Sequence, residues 1–224
     1  MRISILTISP RMLDGLFQAP IVQHALNDHK LELEVIDLKE YAPGSFRAID
    51  DSPYGGGAGM ILRCQPILDA LKQIRKENSH VILLAPIGQP YVQETAHRFV
   101  NYEHLIIICG HYEGIDARVY ERVDEIVSLG DFIVSGGEFP ATMIVDSIVR
   151  LMDGVIKKES IEEESFENGL LEYPQYTKPA IYDGMEVPEV LRSGNHQKIA
   201  EWKKQASLEV TKKYRPDLIK KQLD

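Results

Sequence analysis

Residues 3–8, 33–38, 81–85 and 105–109 are nearly unbroken aliphatic runs. Runs this short, without polar alternation, are the pattern of strands buried on both faces. Between them the apolar positions switch to a helical period. Residues 66–76 place Ile67, Leu71 and Ile74 on one stripe, and residues 92–100 and 116–123 predict two further short helices. A last helix is predicted from about residue 138. Pro140 suits its first turn, Ile144, Ser147, Ile148 and Leu151 share a face, and Gly154 suits the position just past its end. Strands alternating with helices predict an α/β fold on an open, mostly parallel sheet. Ligands of such sheets gather beyond the carboxyl ends of the strands.

Those ends carry the unusual residues. The run 81–85 leads into Pro86-Ile87-Gly88, and the run 105–109 into Gly110-His111-Tyr112-Glu113-Gly114. Residues 126–129 lead into Gly130-Asp131-Phe132 and then Ser135-Gly136-Gly137-Glu138. One such glycine reads as a turn. Three glycine-rich loops on one edge read as a pocket that offers backbone amides and carbonyls at close range. A further stretch, Tyr54-Gly55-Gly56-Gly57-Ala58-Gly59-Met60, lacks the Gly-Lys-Ser/Thr ending of a phosphate loop and has no clear strand immediately before it. The dinucleotide fingerprint is missing as well. This loop either covers a flat ligand such as a base or is a surface excursion, and spacing leaves both readings open.

Composition narrows the class. The 224 residues fit one large domain, or a medium one with an appendage, and 44% hydrophobic with 26% charged residues is ordinary globular usage. No apolar run approaches the roughly 20 residues of a spanning helix. The N-terminus lacks a secretory pattern, so the cytoplasm is the expected compartment, with no membrane partner. Cys64 and Cys109 form no Cys-x-x-Cys pair, and no metal-ligand cluster is visible. The net charge of −9 argues against a nucleic-acid partner only until it is divided along the chain. Residues 173–224 carry 10 basic and 7 acidic side chains, a net of +3, whereas residues 158–172 carry one lysine against six glutamates, a net of −5. Three parts are expected: an α/β body over 1–157, an acidic flexible connector or lid over 158–172, and a basic helical tail over 173–224.

In that tail, Asn195 suits a helix cap, and Ile199, Trp202, Ala206 and Val210 fall on one face. Trp202 therefore belongs to a small helical core. Lys198, Lys203, Lys204, Lys212, Lys213 and Arg215 remain for phosphate contacts, although a solvated helix face accounts for them almost as well.

Five motifs in order resemble one family over nearly the whole chain. They are Asp-Ser-Pro-Tyr-Gly-Gly-Gly-Ala-Gly-Met (51–60), Cys-Gly-His-Tyr-Glu-Gly-Ile-Asp (109–116), Gly-Asp-Phe-Ile-Val-Ser-Gly-Gly-Glu (130–138), Leu-Leu-Glu-Tyr-Pro-Gln-Tyr-Thr-Lys-Pro (170–179) and Val-Pro-Glu-Val-Leu-Arg-Ser-Gly-Asn-His (187–196). The chain resembles the bacterial tRNA (guanine-N1)-methyltransferases, members of the SPOUT class. That resemblance implies an S-adenosylmethionine-dependent enzyme that methylates N1 of guanine 37, beside the tRNA anticodon. It also implies a homodimer with active sites at the subunit interface, and a trefoil knot in the α/β domain, which periodicity alone does not predict. A small all-α C-terminal domain would grip the anticodon stem-loop. Magnesium dependence is a further expectation of the family.

By the same resemblance the cofactor would be held by Ala85, Pro86 and Gly88; by Gly110, Tyr112 and Gly114; by Leu129, Gly130, Asp131, Phe132, Ile133 and Val134; and by Gly136, Gly137 and Pro140. Pro53, Tyr54, Gly55, Glu113, Ser165, Glu172, Asn195 and His196 would meet the tRNA. Transfer to guanine N1 needs a base for its proton and a cation or donor near O6. The resemblance puts Glu164 and Arg150 in those roles. Glu164 and Glu172 stand where the family usually has Asp, and His111 where many relatives have Arg. Read without the family, Arg150 follows Asp146 at the spacing of a surface ion pair. The connector's composition implies a segment that orders when tRNA binds. The other functions these residues leave are a noncatalytic RNA-binding dimer and a SPOUT methyltransferase acting on ribosomal RNA.

Overall fold

A computed structural model describes residues 1–44 and 47–220. The last four residues of the expected tail, 221–224, lie outside the described residues. The chain divides into two compact units, Met1–Ile156 and a second beginning at Lys157.

In the first unit the elements follow as β1 (Arg2–Thr7), α1 (Asp14–Gln18), α2 (Pro20–Asn27), β2 (Glu32–Asp37), β3 (Asp50–Asp51), β4 (Ile61–Leu62), α3 (Cys64–Ile74), β5 (Ser79–Pro90), α4 (Gln93–Phe99), β6 (His104–Cys109), β7 (Glu125–Ser128) and α5 (Glu138–Val149). Five strands form one parallel sheet in the order β2-β1-β6-β5-β7. Alternate side chains leave a strand on opposite faces, so the sheet feeds two cores. Ile3, Ile5, Ile82, Leu105 and Ile107 pack with α2, α4 and α5, while Leu6, Val81, Leu83, Ile106 and Ile108 pack with α3. This two-sided burial is why the runs carry no polar alternation. Pro20 opens α2 as a first-turn proline, a helix that apolar periodicity did not single out.

Two expected helices change form. Residues 116–123 make a 3-10 helix, Ala117–Arg122, capped by the Asp116 carboxylate, which accepts from the Arg118 amide at 3.0 Å. The helix expected to run to Gly154 stops at Val149 with Arg150 as its cap. Beyond it, three-residue hydrogen bonds such as Met152 N to Val149 O tighten the chain and bury Met152 and Val155 in the core. Gly154 takes its positive φ in that turn rather than at a helix end.

The second unit contains α6 (Lys158–Glu162), β8 (Ile181–Tyr182), β9 (Met185–Glu186), α7 (Glu189–Arg192), α8 (His196–Tyr214) and α9 (Pro216–Lys220). It is not all-α: Asp183-Gly184, both at positive φ, turn the chain between β8 and β9 into a hairpin. The acidic segment 158–172, expected as a flexible connector or lid, carries local structure. It forms α6 and is tied to α8, because Leu171 N donates to Thr211 Oγ1 at 2.9 Å and Ser207 Oγ donates to Leu171 O at 2.5 Å.

Candidate active site

At the bulge of β5 and the carboxyl ends of β6 and β7 lies a cavity of about 500 Å3, within the range of small-molecule sites. Ala85 and Pro86 line one side, together with Ile87. Gly110, Tyr112 and Gly114 line the second, with His111 and Glu113, and Leu129, Gly130, Phe132, Ile133, Val134, Gly136 and Gly137 line the third, with Pro140 on α5. Thus three loops far apart in sequence meet in one place.

Two expected residues do not line it. Asp131 is absent from the lining, and Gly88 is pressed against β7, where a Cβ would stand 2.4 Å from Val127 N. Gly88 serves packing: Leu84 and Gln89 both pair with Val127, so residues 85–88 bulge out of the sheet. Leu83, Leu84, Ile115, Tyr120, Val127, Ser128 and Ser135 line the cavity without having been singled out. The strands carrying Leu83, Leu84, Val127 and Ser128 were legible in the sequence, but which side chains reach the cavity depends on how the strands and the loops after them are placed.

The loops hold one another by backbone. Gly137 N donates to Gly110 O at 2.8 Å, and His111 bridges to Gly136. A Cβ on Gly137 would lie 2.7 Å from Cys109 Cα, so only glycine lets α5 start this close to β6. Burial, and then the nearby Glu138 carboxylate, push the Cys109 thiol up, which keeps it protonated and unreactive. Tyr112 sits in the left-handed region at φ 57, a conformation that costs a non-glycine residue energy and marks ligand clamps.

The glycine loop at 54–59 springs from the β3–β4 pair, in which Asp51 faces Ile61. The strand preceding it, Asp50–Asp51, is two residues long, too short for periodicity to reveal. Tyr54 at its tip is fully exposed, with Pro53 and Gly55 beside it. Glu113 N donates to Met60 O at 3.0 Å, tying this loop to the 110–114 loop. The Glu113 side chain lies where a Gly59 Cβ would be.

Arg150 is half-buried at the end of α5, where a cation suits the helix dipole. In the second unit, Glu164 N donates to Ile161 O at 3.0 Å, and Glu172 N donates to Ser165 Oγ at 3.0 Å. Glu164 and Glu172 line a smaller cleft with Glu162, Glu163, Lys203 and Lys204. The Lys203 ammonium bonds Glu163 at 2.8 Å and lies over the Tyr173 ring, and it holds the Glu163 carboxyl below its ordinary range. Lys203 is therefore engaged rather than open to phosphate, and Arg215 likewise pairs with Asp217. Lys198, Lys204, Lys212 and Lys213 are exposed. Asn195 caps α8, its Oδ1 accepting from Lys198 N at 3.1 Å, and His196 follows it, exposed. Trp202 is half-buried against Tyr173 and Tyr176.

Among the described residues no group of three or more His, Cys, Asp or Glu side chains is placed to hold a metal ion. None of their helices is long and apolar enough to cross a membrane.

A family model described as tRNA (Guanine-1)-methyltransferase TrmD matches residues 1–221. The chain belongs to this family. A protein of Clostridium botulinum (strain Kyoto / Type A2) named tRNA (guanine-N(1)-)-methyltransferase is 51% identical over 99% of this chain and 92% of its own length. One of the same name from Ureaplasma parvum serovar 3 is 46% identical over 100% of this chain and 99% of its own. As a member of the tRNA (guanine-1)-methyltransferase family, the chain is an enzyme, which sets aside the noncatalytic reading. The family's RNA is tRNA, which sets aside the ribosomal one.

Proposed function

We propose that this enzyme moves a methyl group from S-adenosylmethionine to N1 of guanine 37 of tRNA, next to the anticodon. The observation that carries the reading is the cavity at the strand ends, walled by three glycine loops, in a chain that matches the family from end to end. The cavity fits a cofactor of that kind: it is large enough, largely apolar, and its glycines expose backbone groups that can hold a base and ribose. When bound, S-adenosylmethionine supplies an electrophilic methyl on a sulfonium. Ala85, Pro86, Gly110, Tyr112, Gly114, Leu129, Gly130, Phe132, Ile133, Val134, Gly136, Gly137 and Pro140 form the cofactor site of this proposal.

The remaining chemistry belongs to side chains. Guanine N1 is protonated at neutral pH, and the Glu164 carboxylate takes that proton. Charge then spreads to O6, where the Arg150 guanidinium stabilises it. Pro53, Tyr54, Gly55, Glu113, Ser165, Glu172, Asn195 and His196 position the RNA, and the exposed lysines of α8 meet its phosphates.

The knotted SPOUT topology belongs to this reading too. Two places where backbones pass with no room for a Cβ, Gly88 on Val127 and Gly137 on Cys109, support it by showing how tightly these loops are drawn together. A homodimer is supported by the exposed apolar side chains Phe132, Ile133, Val134, Phe139 and Met143, next to the cavity. A helical RNA-binding domain from residue 173 and a cytoplasmic location complete the proposal.

The test is labelled S-adenosylmethionine with a tRNA transcript carrying guanine at 36 and 37, beside one with adenine at 37. Incorporation into the first alone is expected, and Glu164→Gln and Arg150→Ala should each lower its rate about 100-fold or more. Equal labelling of both transcripts would overturn the assignment of the target base.

A further inference from the structure

Behind the cavity wall sits a carboxylate that the proposed chemistry does not use. Glu138, the first residue of α5, is 1% exposed. Its Oε1 accepts from Thr7 Oγ1 at 2.5 Å, and Thr7 Oγ1 in turn accepts from Ser9 N at 2.9 Å. Its Oε2 is buried without a hydrogen-bond partner. A buried carboxylate oxygen left unpaired is costly, and native interiors rarely keep such an atom without a use.

What faces that oxygen is the cavity wall. His111 Nε2 stands 3.8 Å from Glu138 Oε2, too far for a hydrogen bond, and the imidazole is 20% exposed on the cavity side. The approach is open because Gly136 lies between them: a Cβ there would be 2.3 Å from Oε2 and 2.7 Å from His111 Cδ2. The other groups around the pair are Thr7 from β1, the protonated Cys109 thiol from β6, and the Tyr112 ring, edge-on to His111 at 5.3 Å between centroids. None of these donates to Oε2.

We propose that Glu138 is a positioning residue for the cofactor loop. Anchored by Thr7, it takes the His111 N–H as its second partner when the cavity is filled. A movement of under 1 Å turns the 3.8 Å gap into a charge-assisted hydrogen bond. That bond pins the 110–114 loop, with Tyr112 and Glu113, to the start of α5. Glu138 touches neither substrate nor cofactor, and its effect passes through His111. The inference rests on the reading of this cavity as the cofactor site.

The experiment measures binding of S-adenosylhomocysteine to the full chain by calorimetry, with steady-state methyl transfer and thermal unfolding alongside. Wild type is compared with Glu138→Gln, His111→Asn, the double variant, and His111→Arg with and without Glu138→Gln. Each single loss should weaken analogue binding and raise the KM for S-adenosylmethionine about tenfold. The kcat should change less than threefold, as for a contact made equally in ground and transition states. The double variant should bind no more weakly than either single one, and His111→Arg should bind like wild type only when Glu138 is present. Additive losses, or unchanged affinity in folded variants, would overturn the inference alone. Should Glu138→Gln fail to fold, His111→Asn and His111→Arg decide: equal affinities refute the pairing, and recovery by arginine supports it. A wild-type chain that takes up no analogue would overturn the cavity assignment, and this inference with it.

Discussion

The two units bury their side chains in different ways. The first fills both faces of a parallel sheet with aliphatic residues, whereas among the described residues from Lys157 onward only Ala206 and Thr211 are buried. Polar side chains do the work of a core in the second unit. Thr211 Oγ1 accepts from Leu171 N while donating to Ser207 O, and Lys203 bonds Glu163. The body can hold three loops in fixed register because their strands cannot shift. A unit held by a few hydrogen bonds and half-buried rings opens locally at smaller cost.

Core deletion should separate the units most sharply. Phe99→Ala, in the fully buried core of the body, is expected to cost about 3–5 kcal/mol, and Trp202→Ala about 1–2 kcal/mol. Trp202 is the chain's one tryptophan, so its fluorescence reports on the second unit while far-UV circular dichroism reports on both. In Phe99→Ala the dichroism midpoint in urea should fall further than the fluorescence midpoint. Equal shifts would break the distinction.

A pair of glycines sharpens it. At Gly137 an added Cβ meets backbone at 2.7 Å, so Gly137→Ala should cost about 1–3 kcal/mol by overpacking and should also weaken S-adenosylhomocysteine binding at least about tenfold. At Gly194, φ is +70 and nothing lies within 4 Å, so Gly194→Ala should cost about 1 kcal/mol through backbone strain alone and leave analogue binding unchanged. Calorimetry and thermal unfolding of the two variants give the comparison.

The smallest expected effect is electrostatic. Hydrogen bonding to the Arg118 side chain is the main reason the Asp116 carboxyl titrates at about 2, and the Arg118 amide adds to it. The folded value lies below the unfolded one, so the charged carboxylate stabilises the body above about pH 4, and that contribution disappears as pH falls through about 2. Asparagine keeps the cap oxygen and removes only the charge facing the exposed Arg118, so Asp116→Asn should cost about 0.5 kcal/mol near pH 6. The gap between the two urea midpoints should narrow steadily below pH 4, and a gap constant with pH would refute the charge as its source.

The parallel sheet was legible because its inner strands β1 and β6 and the first half of β5 are buried on both faces, which leaves runs such as 105–109 with no polar interruption, whereas the edge strand β2 keeps Glu34 and Asp37 within its run. Legible too were the three loops, since glycine clusters at strand ends have few other uses. Helix ends were less so. Nothing local in residues 149–155 distinguishes a continuing helix from the tight turns that bury Met152 and Val155, because both satisfy the same apolar spacing. The hairpin at 181–186 was marked by Asp-Gly, yet flanked by strands of two residues it produced no alternation to read.

The amino-acid sequence by itself determined the family, the order of the long strands of the body and the helices between them, and which loops carry the glycines. Those properties are local or are spelled out in contiguous motifs. Only the tertiary structure decided that Gly88 packs against β7 instead of lining the cavity, that Lys203 is engaged by Glu163, and that Thr7, His111 and Glu138 converge. Each of these depends on residues apart in the chain, from 27 positions for His111 and Glu138 to 131 for Thr7 and Glu138. Distances between such residues are set by how strands pair and how closely backbones pass, and no periodicity along the chain encodes them.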